Sequence, residues 1–459
     1  MGMTLEDAAK ACGGKLSATE DQKKALVLGG AVDSRKIQPG NLFFAIKGEK
    51  TDGHKYVGNA FRDGAVGAVV EEVPEGTNVP YILVESTEKA LSAIAGYYRS
   101  LFSIPVVGIT GSVGKTSTKE MVASVLGTKY NVLKTDGNFN NEIGMPLTLL
   151  RLREGHEAAV VEMGIDHFGE MTRMTKVAAP DIFVMTNIGT CHLETLGDMD
   201  GVFRAKTEGI PLLKEGSPVI LNGDDVRLRR LAGEKRIRPC FFSLEDEGTD
   251  AWATDIQSHG EEGTDALLHI RMDGKAQSCQ VHLNVPGRHM VSNALAGALV
   301  GRELGLSIEE IRKGICSMET ISGRSNFIHK DGKTIIDDCY NANPASMKAS
   351  LEVLSHCGGR KIAVLGDMGE LGKDEKELHR GVGTFASGLS IDEFYLCGDL
   401  MENLAKGLSD GGYQGKVHYY KKKDALLPQL LADVKEGDVV LVKASHFMGF
   451  DEILRALVK

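Results

Sequence analysis

Lys115 and Thr116 open a helical pattern directly behind Gly108-Ile109-Thr110-Gly111-Ser112-Val113-Gly114, and Ile104 to Ile109 in front of it is a short, β-branched apolar run. Strand, glycine-rich loop and helix in this order make an anion cradle. Glycines let backbone N–H groups approach phosphate oxygens, and the helix start adds unsatisfied N–H groups and the positive end of its dipole. Lys115 supplies charge for outer phosphates, and Thr116 offers its hydroxyl to Mg²⁺. The chemistry expected is nucleoside triphosphate binding; a glycine-rich turn without a ligand is the alternative. The spacing departs from the common phosphate loop, because five residues separate Gly108 from Gly114 and Ile109 stands where the first glycine belongs.

Other polar groups fall at strand ends. Glu162 closes the run Ala158-Ala159-Val160-Val161, where a second Mg²⁺ ligand would be useful or an acid could simply face water. Thr135-Asp136-Gly137-Asn138-Phe139-Asn140-Asn141-Glu142-Ile143-Gly144 is either loop polarity or a set of amides, Asn138 and Asn141 among them, aimed at a polar ligand. The strand Asp181 to Ile188 opens into Gly189-Thr190-Cys191-His192, and His192 by itself reads as a structural histidine. Lys206 by itself reads as a solvated helix residue. Near the N-terminus, Asp33-Ser34-Arg35-Lys36 and His54 flank a Pro39-Gly40 turn, a pattern that turn chemistry also explains.

A chain of 459 residues exceeds one ordinary core and suggests three domains. The pattern predicts a small α/β domain over 1–103 and a central domain over 104–320, with strands alternating with helices as in a phosphate-loop, mainly parallel sheet. From Cys240 to Val285 the pattern changes to antiparallel strands, with Asp273-Gly274 as a hairpin turn. Asn293 to Leu299 begins a small-residue helix suited to close packing. Residues 321–459 predict a Rossmann-like open sheet, with strands at Ile335-Ile336, Lys361 to Leu365, Glu393 to Cys397 and Val439 to Val442. Gly366-Asp367-Met368-Gly369-Glu370-Leu371-Gly372 lacks the G-x-G-x-x-G spacing of a dinucleotide fingerprint, which sets a dehydrogenase aside.

Composition narrows the class. Net charge of −10 without clustered Lys and Arg argues against a nucleic-acid binder, and no apolar run approaches membrane-spanning length. Eight scattered cysteines with no C-x-x-C pair indicate neither a zinc site nor a disulfide framework. With no basic-then-apolar leader at the start, a cytoplasmic location is expected.

Taken in order, these stretches resemble the Mur ligase family of bacterial cell-wall synthesis over essentially the whole chain. Family-wide marks are Thr110-Gly111-Ser112-Val113-Gly114-Lys115-Thr116, Glu162, Thr186-Asn187-Ile188-Gly189 with His192, and Asn293. Asp337-Asp338-Cys339-Tyr340-Asn341-Ala342-Asn343-Pro344 and Gly366 to Gly372 resemble the branch that adds D-Ala-D-Ala. Such a family also accounts for the unusual loop spacing. The resemblance implies a monomeric, ATP- and Mg²⁺-dependent ligase that joins D-Ala-D-Ala to UDP-N-acetylmuramoyl-tripeptide through an acyl-phosphate, serving peptidoglycan synthesis and hence cell shape and division.

The same resemblance implies site roles. Ser34 and Arg35 would hold the uridine nucleotide, and Asn138 and Asn141 would contact substrate. Gly111, Ser112, Gly114, Lys115, Thr116 and Ser117 would cradle ATP, with Asn293 at the adenine, Asp338 at the ribose and Arg324 near the transferred phosphate. Thr116 and Glu162 would hold Mg²⁺, and His192 would serve a second metal. Lys206 would be carbamylated, since a free ammonium would repel the metal, and with Lys115, His192 and Arg324 it would make the catalytic set. One departure stands in Lys443-Ala444-Ser445-His446, where this branch usually has Lys-Gly-Ser-Arg. Competing readings are the ligase that adds the third amino acid, a phosphate-loop NTPase switch, and a degenerate non-catalytic member.

Overall fold

The computed structural model describes residues 2–48, 51–74, 78–319 and 323–459; the expected boundary at 320/321 lies outside them. The architecture is α/β, built on three main sheets. The first runs Lys15–Ser17, Tyr81–Leu83, Gly67–Val70, Asn41–Phe44, Gly29–Ala31, parallel except for its first pair. Its inner strands Asn41–Phe44 and Gly67–Val70 are buried along their length, as parallel strands covered on both faces should be.

The helix Thr87–Ser100, which the sequence pattern assigns to the first domain, ties that sheet to the next. Ser86 caps it by accepting from the Lys89 N–H. Its apolar face, with Leu91, Ile94 and Ala95, shares one continuous core with Met145, Leu149, Met171 and Met174. The Tyr98 hydroxyl donates to the Leu152 carbonyl at 2.8 Å, and Arg99 reaches the Ala178 carbonyl and the Asp181 carboxylate.

The central sheet has nine strands in the order Lys275–Leu283, Thr264–Met272, Ala251–Ser258, Arg238–Ser243, Pro218–Asn222, Ile182–Met185, Val106–Thr110, Ala158–Glu162, Val132–Lys134. The antiparallel part begins later than the sequence pattern implies. The Cys240 strand pairs parallel with Pro218–Asn222, and Ala251–Ser258 pairs parallel with it in turn. Thr264–Met272 alone reverses direction, pairing antiparallel with Ala251–Ser258 on one side and with Lys275–Leu283 on the other; the latter pair is joined by Asp273 and Gly274 at φ 48° and 78°, both left-handed as a two-residue hairpin demands. On one face the helices Lys115–Leu126 and Arg288–Glu303 pack closely, and a Cβ at Gly297 would come within 3.0 Å of Met121.

The third sheet runs Asn326–Lys330, Lys333–Asp337, Asp438–Lys443, Arg360–Gly366, Glu393–Cys397, Lys416–Tyr420. Its first pair is an antiparallel hairpin and the others are parallel, so the expected open sheet is mixed. Its two faces carry cores of their own, drawn, among the described residues, from those beyond 326.

Candidate active site

Register in the central sheet brings the chemistry together. Val106–Thr110 lies between Ala158–Glu162 and Ile182–Met185, with Glu162 level with Ile109 and Met185 level with Thr110. The glycine-rich loop, the Glu162 carboxylate and Thr186-Asn187 therefore leave the same edge of the sheet side by side. This is the carboxyl end, where parallel α/β sheets bind ligands.

Gly108 is not part of the cradle. It lies inside the strand, where a Cβ would press on Met163 Sδ at 2.9 Å and Phe183 at 3.2 Å, so packing explains the shifted spacing. Gly111 is the first loop glycine, and a Cβ there would stand 1.9 Å from Thr186 Oγ1. Gly114 caps the helix Lys115–Leu126 at φ 81°, a conformation that favours glycine. Asn187 braces the loop: its Oδ1 accepts from Val113 N–H at 2.9 Å, its Nδ2 donates to the Val113 carbonyl, and its own carbonyl accepts from Ser112 N–H. The Ser112 hydroxyl is engaged with the Gly189 backbone rather than turned freely to a ligand. Lys115 Nζ rests on the Gly111 and Ser112 carbonyls at 2.9 and 3.5 Å.

Glu162 is 1% exposed, and three bonds set its position. Its backbone N–H donates to Thr135 Oγ1 at 3.0 Å, and the Thr135 carbonyl is held by the buried Lys119 ammonium at 2.6 Å. Asn140 Nδ2 donates to Glu162 Oε1 at 2.7 Å. Oε2 is buried with no partner among the described residues. An orphaned carboxylate oxygen and the Thr116 residue lining the same cavity fit a hard divalent cation. Among the described residues, no three His, Cys, Asp or Glu side chains form a metal cage, so phosphates and water would complete the shell, as is usual for Mg²⁺.

That cavity, about 770 Å³, has walls from the central and third sheets. It brings together Ser112, Gly114, Lys115, Thr116, Ser117, Asn138, Asn141, Glu162, His192 and Asn293 with Arg324 and Asp338. Asn293 Oδ1 accepts from Thr118 Oγ1 at 2.9 Å, and the Asn293 side chain stands beside Gly114. The Arg324 guanidinium lies 4.4 Å over the Tyr340 ring, whose other neighbour is the His446 ring at 5.9 Å. Asp338 Oδ2 accepts from Lys443 Nζ at 2.6 Å and from the Ser350 hydroxyl, and Oδ1 accepts from Ser325 N–H.

Other expected residues lie elsewhere or are used differently. Ser34 and Arg35 are outside the cavity: Asp33 caps their short turn and binds the exposed Arg35 guanidinium through both carboxylate oxygens. Asn141 lines the rim, but its Oδ1 accepts from the Ile143 and Gly144 N–H groups as a helix start. Lys206 is not a solvated helix residue. It is fully buried, its Nζ lacks a partner among the described residues, and burial first, then the neighbouring Lys115 charge, lower its pKa to about 8. It is not among the residues that line the cavity.

The sequence pattern did not single out Asn140, Lys119, Thr135 or Tyr340, nor a role for Lys443. A run of Asn residues does not tell which amide turns to the carboxylate. Lys443 at a strand end was visible, but its partner lies 105 residues away.

Comparison with known proteins converges. The Mur ligase family catalytic domain model matches residues 30–99, the Mur ligase middle domain 109–301, and the Mur ligase glutamate ligase domain 323–446. The UDP-N-acetylmuramoyl-tripeptide–D-alanyl-D-alanine ligase of Bacillus subtilis strain 168 is 36% identical over 465 residues, covering 99% of this chain and 98% of that protein. A crystal structure of MurF from Acinetobacter baumannii superposes with a TM-score of 0.89 at 31% identity, over 100% of this chain and 99% of that one. MurF from Thermotoga maritima in complex with ADP gives 0.81 at 31% identity, over 94% and 97%.

Proposed function

The chain belongs to the Mur ligase family, and from that premise we propose that it joins D-Ala-D-Ala to UDP-N-acetylmuramoyl-tripeptide at the expense of ATP. The observation that carries this reading is the single cavity in which Lys115, Thr116, Glu162 and Asn293 of the central sheet face Arg324 and Asp338 of the third. A switch NTPase needs only the first wall; a ligase needs a second to bring in another substrate.

The chemistry opens with the peptide carboxylate attacking the γ-phosphorus of ATP, releasing ADP and forming an acyl-phosphate. Both reactants are anionic. Lys115 on one wall and Arg324 on the other supply fixed positive charge at that encounter. Mg²⁺, held by Thr116 and Glu162, would neutralise phosphate charge. Asn293 and Asp338 place the nucleoside, with Asp338 held rigid by Lys443. The dipeptide amine then attacks the acyl carbon, the tetrahedral intermediate collapses, and phosphate leaves. Walls from two parts of the chain exclude the water that would hydrolyse the acyl-phosphate.

His192 would serve a second cation through Nε2, because Nδ1 is engaged. Lys206 would act as its carbamate: a buried amine with a lowered pKa is neutral often enough to add CO₂, and the product is an anionic oxygen donor rather than a repelling ammonium. Ser34 and Arg35, exposed on the first domain, would meet the uridine end. The division into domains at 1–103, 104–320 and 321–459 assigns each sheet one substrate or one wall. One chain supplies both walls, which suits a monomer. The free cysteines suit a reducing cytoplasm, and among the described residues no helix is long and apolar enough to cross a membrane.

Phosphate release is the test, measured with UDP-muramoyl tripeptide, with and without D-Ala-D-Ala, while the product is followed by mass. Release that requires both substrates, with one dipeptide added per phosphate, is expected. Release indifferent to both, with no new product, would replace the ligase by an NTPase switch.

A further inference from the structure

We propose that Glu370 is a positioning residue for His192, carried by the third domain, so that the imidazole gains its closer carboxylate partner when that domain lies against the central one. Glu370 Oε2 lies 2.7 Å from His192 Nδ1, and the Glu370 carbonyl accepts the Leu193 N–H at 3.1 Å. The central domain's own acid, Asp166, approaches the same ring nitrogen at 3.2 Å. This inference rests on the reading of His192 as a cation ligand.

Backbone geometry marks the contact as specified by its surroundings. His192 and Glu370 are both non-glycine residues in the left-handed region, at φ 51° and 61°, and they meet each other across the domain boundary. Such conformations persist only where neighbouring structure over-determines them. The loop bearing Glu370 is fixed on its own side, with Gly369 N–H donating to Ser445 Oγ at 2.9 Å and Met368 N–H to His379 Nε2 at 3.0 Å. Next to it, Gly372 lies flush against Leu193 and Glu194. The Gly366 to Gly372 stretch, which matches no nucleotide fingerprint, is thereby explained as the arm that presents a carboxylate.

A carboxylate at Nδ1 holds the proton on that nitrogen and leaves the Nε2 lone pair for a cation, the usual second-shell arrangement of a metal-binding histidine. Here the outer partner belongs to a different domain from the ligand. Closure and assembly of the cation site become one event.

The experiment measures Mn²⁺ binding, by the electron paramagnetic resonance signal of the free ion, to the ADP-bound enzyme and to Glu370→Gln, Glu370→Ala, His192→Ala and the Glu370→Ala/His192→Ala double variant. Glu370 is 60% exposed, so its removal leaves the core intact. Expected are an affinity loss of about tenfold for Glu370→Ala, a smaller loss for Glu370→Gln, and no further loss in the double variant relative to His192→Ala. If His192→Ala weakens binding while Glu370→Ala binds as wild type, the positioning role is overturned and the ligand reading survives. If His192→Ala itself binds as wild type, the ligand reading fails and takes the proposal with it.

Discussion

Lys206→Met should stabilise the protein at neutral pH although it removes a member of the proposed catalytic set. The ammonium is fully buried and has no partner among the described residues, and burial holds its pKa at about 8 against 10.5 for a free lysine. A fall of that size corresponds to about 3 kcal/mol lost by keeping the charged form inside. The unfolded chain binds the proton more tightly than the folded one. The loss is therefore complete below pH 8, shrinks as pH rises from 8 to 10.5, and is gone above that. Methionine keeps an unbranched stem of similar length without the charge. The variant should exceed wild type by up to about 3 kcal/mol at pH 7 and by little at pH 10.5.

The assay is urea unfolding in CO₂-free buffer, followed by the fluorescence of Trp252. This sole tryptophan is buried in the central sheet and stacked on His269, so it reports the sheet that Lys206 packs under. Adding bicarbonate should narrow the gap by converting the wild-type ammonium to a carbamate. A wild type as stable as the variant at pH 7 without CO₂ would refute the reasoning, since the ammonium would then have a partner that offsets its burial. In activity, Lys206→Ala should be inactive yet folded, with partial recovery on adding short carboxylic acids; full activity without additives would remove the carbamate.

Asn140→Ala frees Glu162 Oε1 to rotate away from the cation position, and should raise the Mg²⁺ half-saturation about tenfold in the phosphate-release assay while leaving the fold unchanged. Lys443→Ala leaves the buried Asp338 carboxylate, among the described residues, with Ser350 and Ser325, and should cost about 3 kcal/mol in the urea transition seen by circular dichroism, together with a raised KM for ATP. Asp367 is held up at about 6 by burial, so wild type loses up to about 3 kcal/mol as pH rises from 3.8 to 6. Asp367→Asn keeps an oxygen for the Leu400 and Met401 N–H groups, and should be the more stable protein above pH 6 and equal to wild type at pH 4.

The phosphate cradle was legible in the sequence because its cause is local: a β-branched run, glycines and a helix start follow one another without interruption. Glu162 was legible for the same reason, as an acid ending an apolar strand. Hidden were relations between distant segments. The oxygen that Asn140 occupies, the Lys443 ammonium on Asp338 and the Glu370 carboxylate on His192 each depend on which strand lies beside which, and composition carries no trace of that. The hairpin strand Asn326–Lys330 and the edge strand Lys416–Tyr420 were missed because half-buried edge strands mix apolar and charged residues. Lys206 taken by itself reads as solvated because burial of a lysine is a tertiary fact, set by how the helix Met199–Thr207 is covered.

The continuous core beneath the helix Thr87–Ser100 has a thermodynamic consequence. Apolar side chains of the first sheet and of the central one stabilise each other, so neither can be exposed without exposing part of the other, whereas the third sheet is sealed by two cores of its own. The chain should therefore melt as two cooperative units rather than three. Trp252 reports only the larger one. Since the cavity draws on both units, a nucleotide bound there adds its binding free energy to the transition of whichever unit opens first. Saturating ADP should draw two separate melting steps toward one, making the substrate itself the link that the hydrophobic core does not provide.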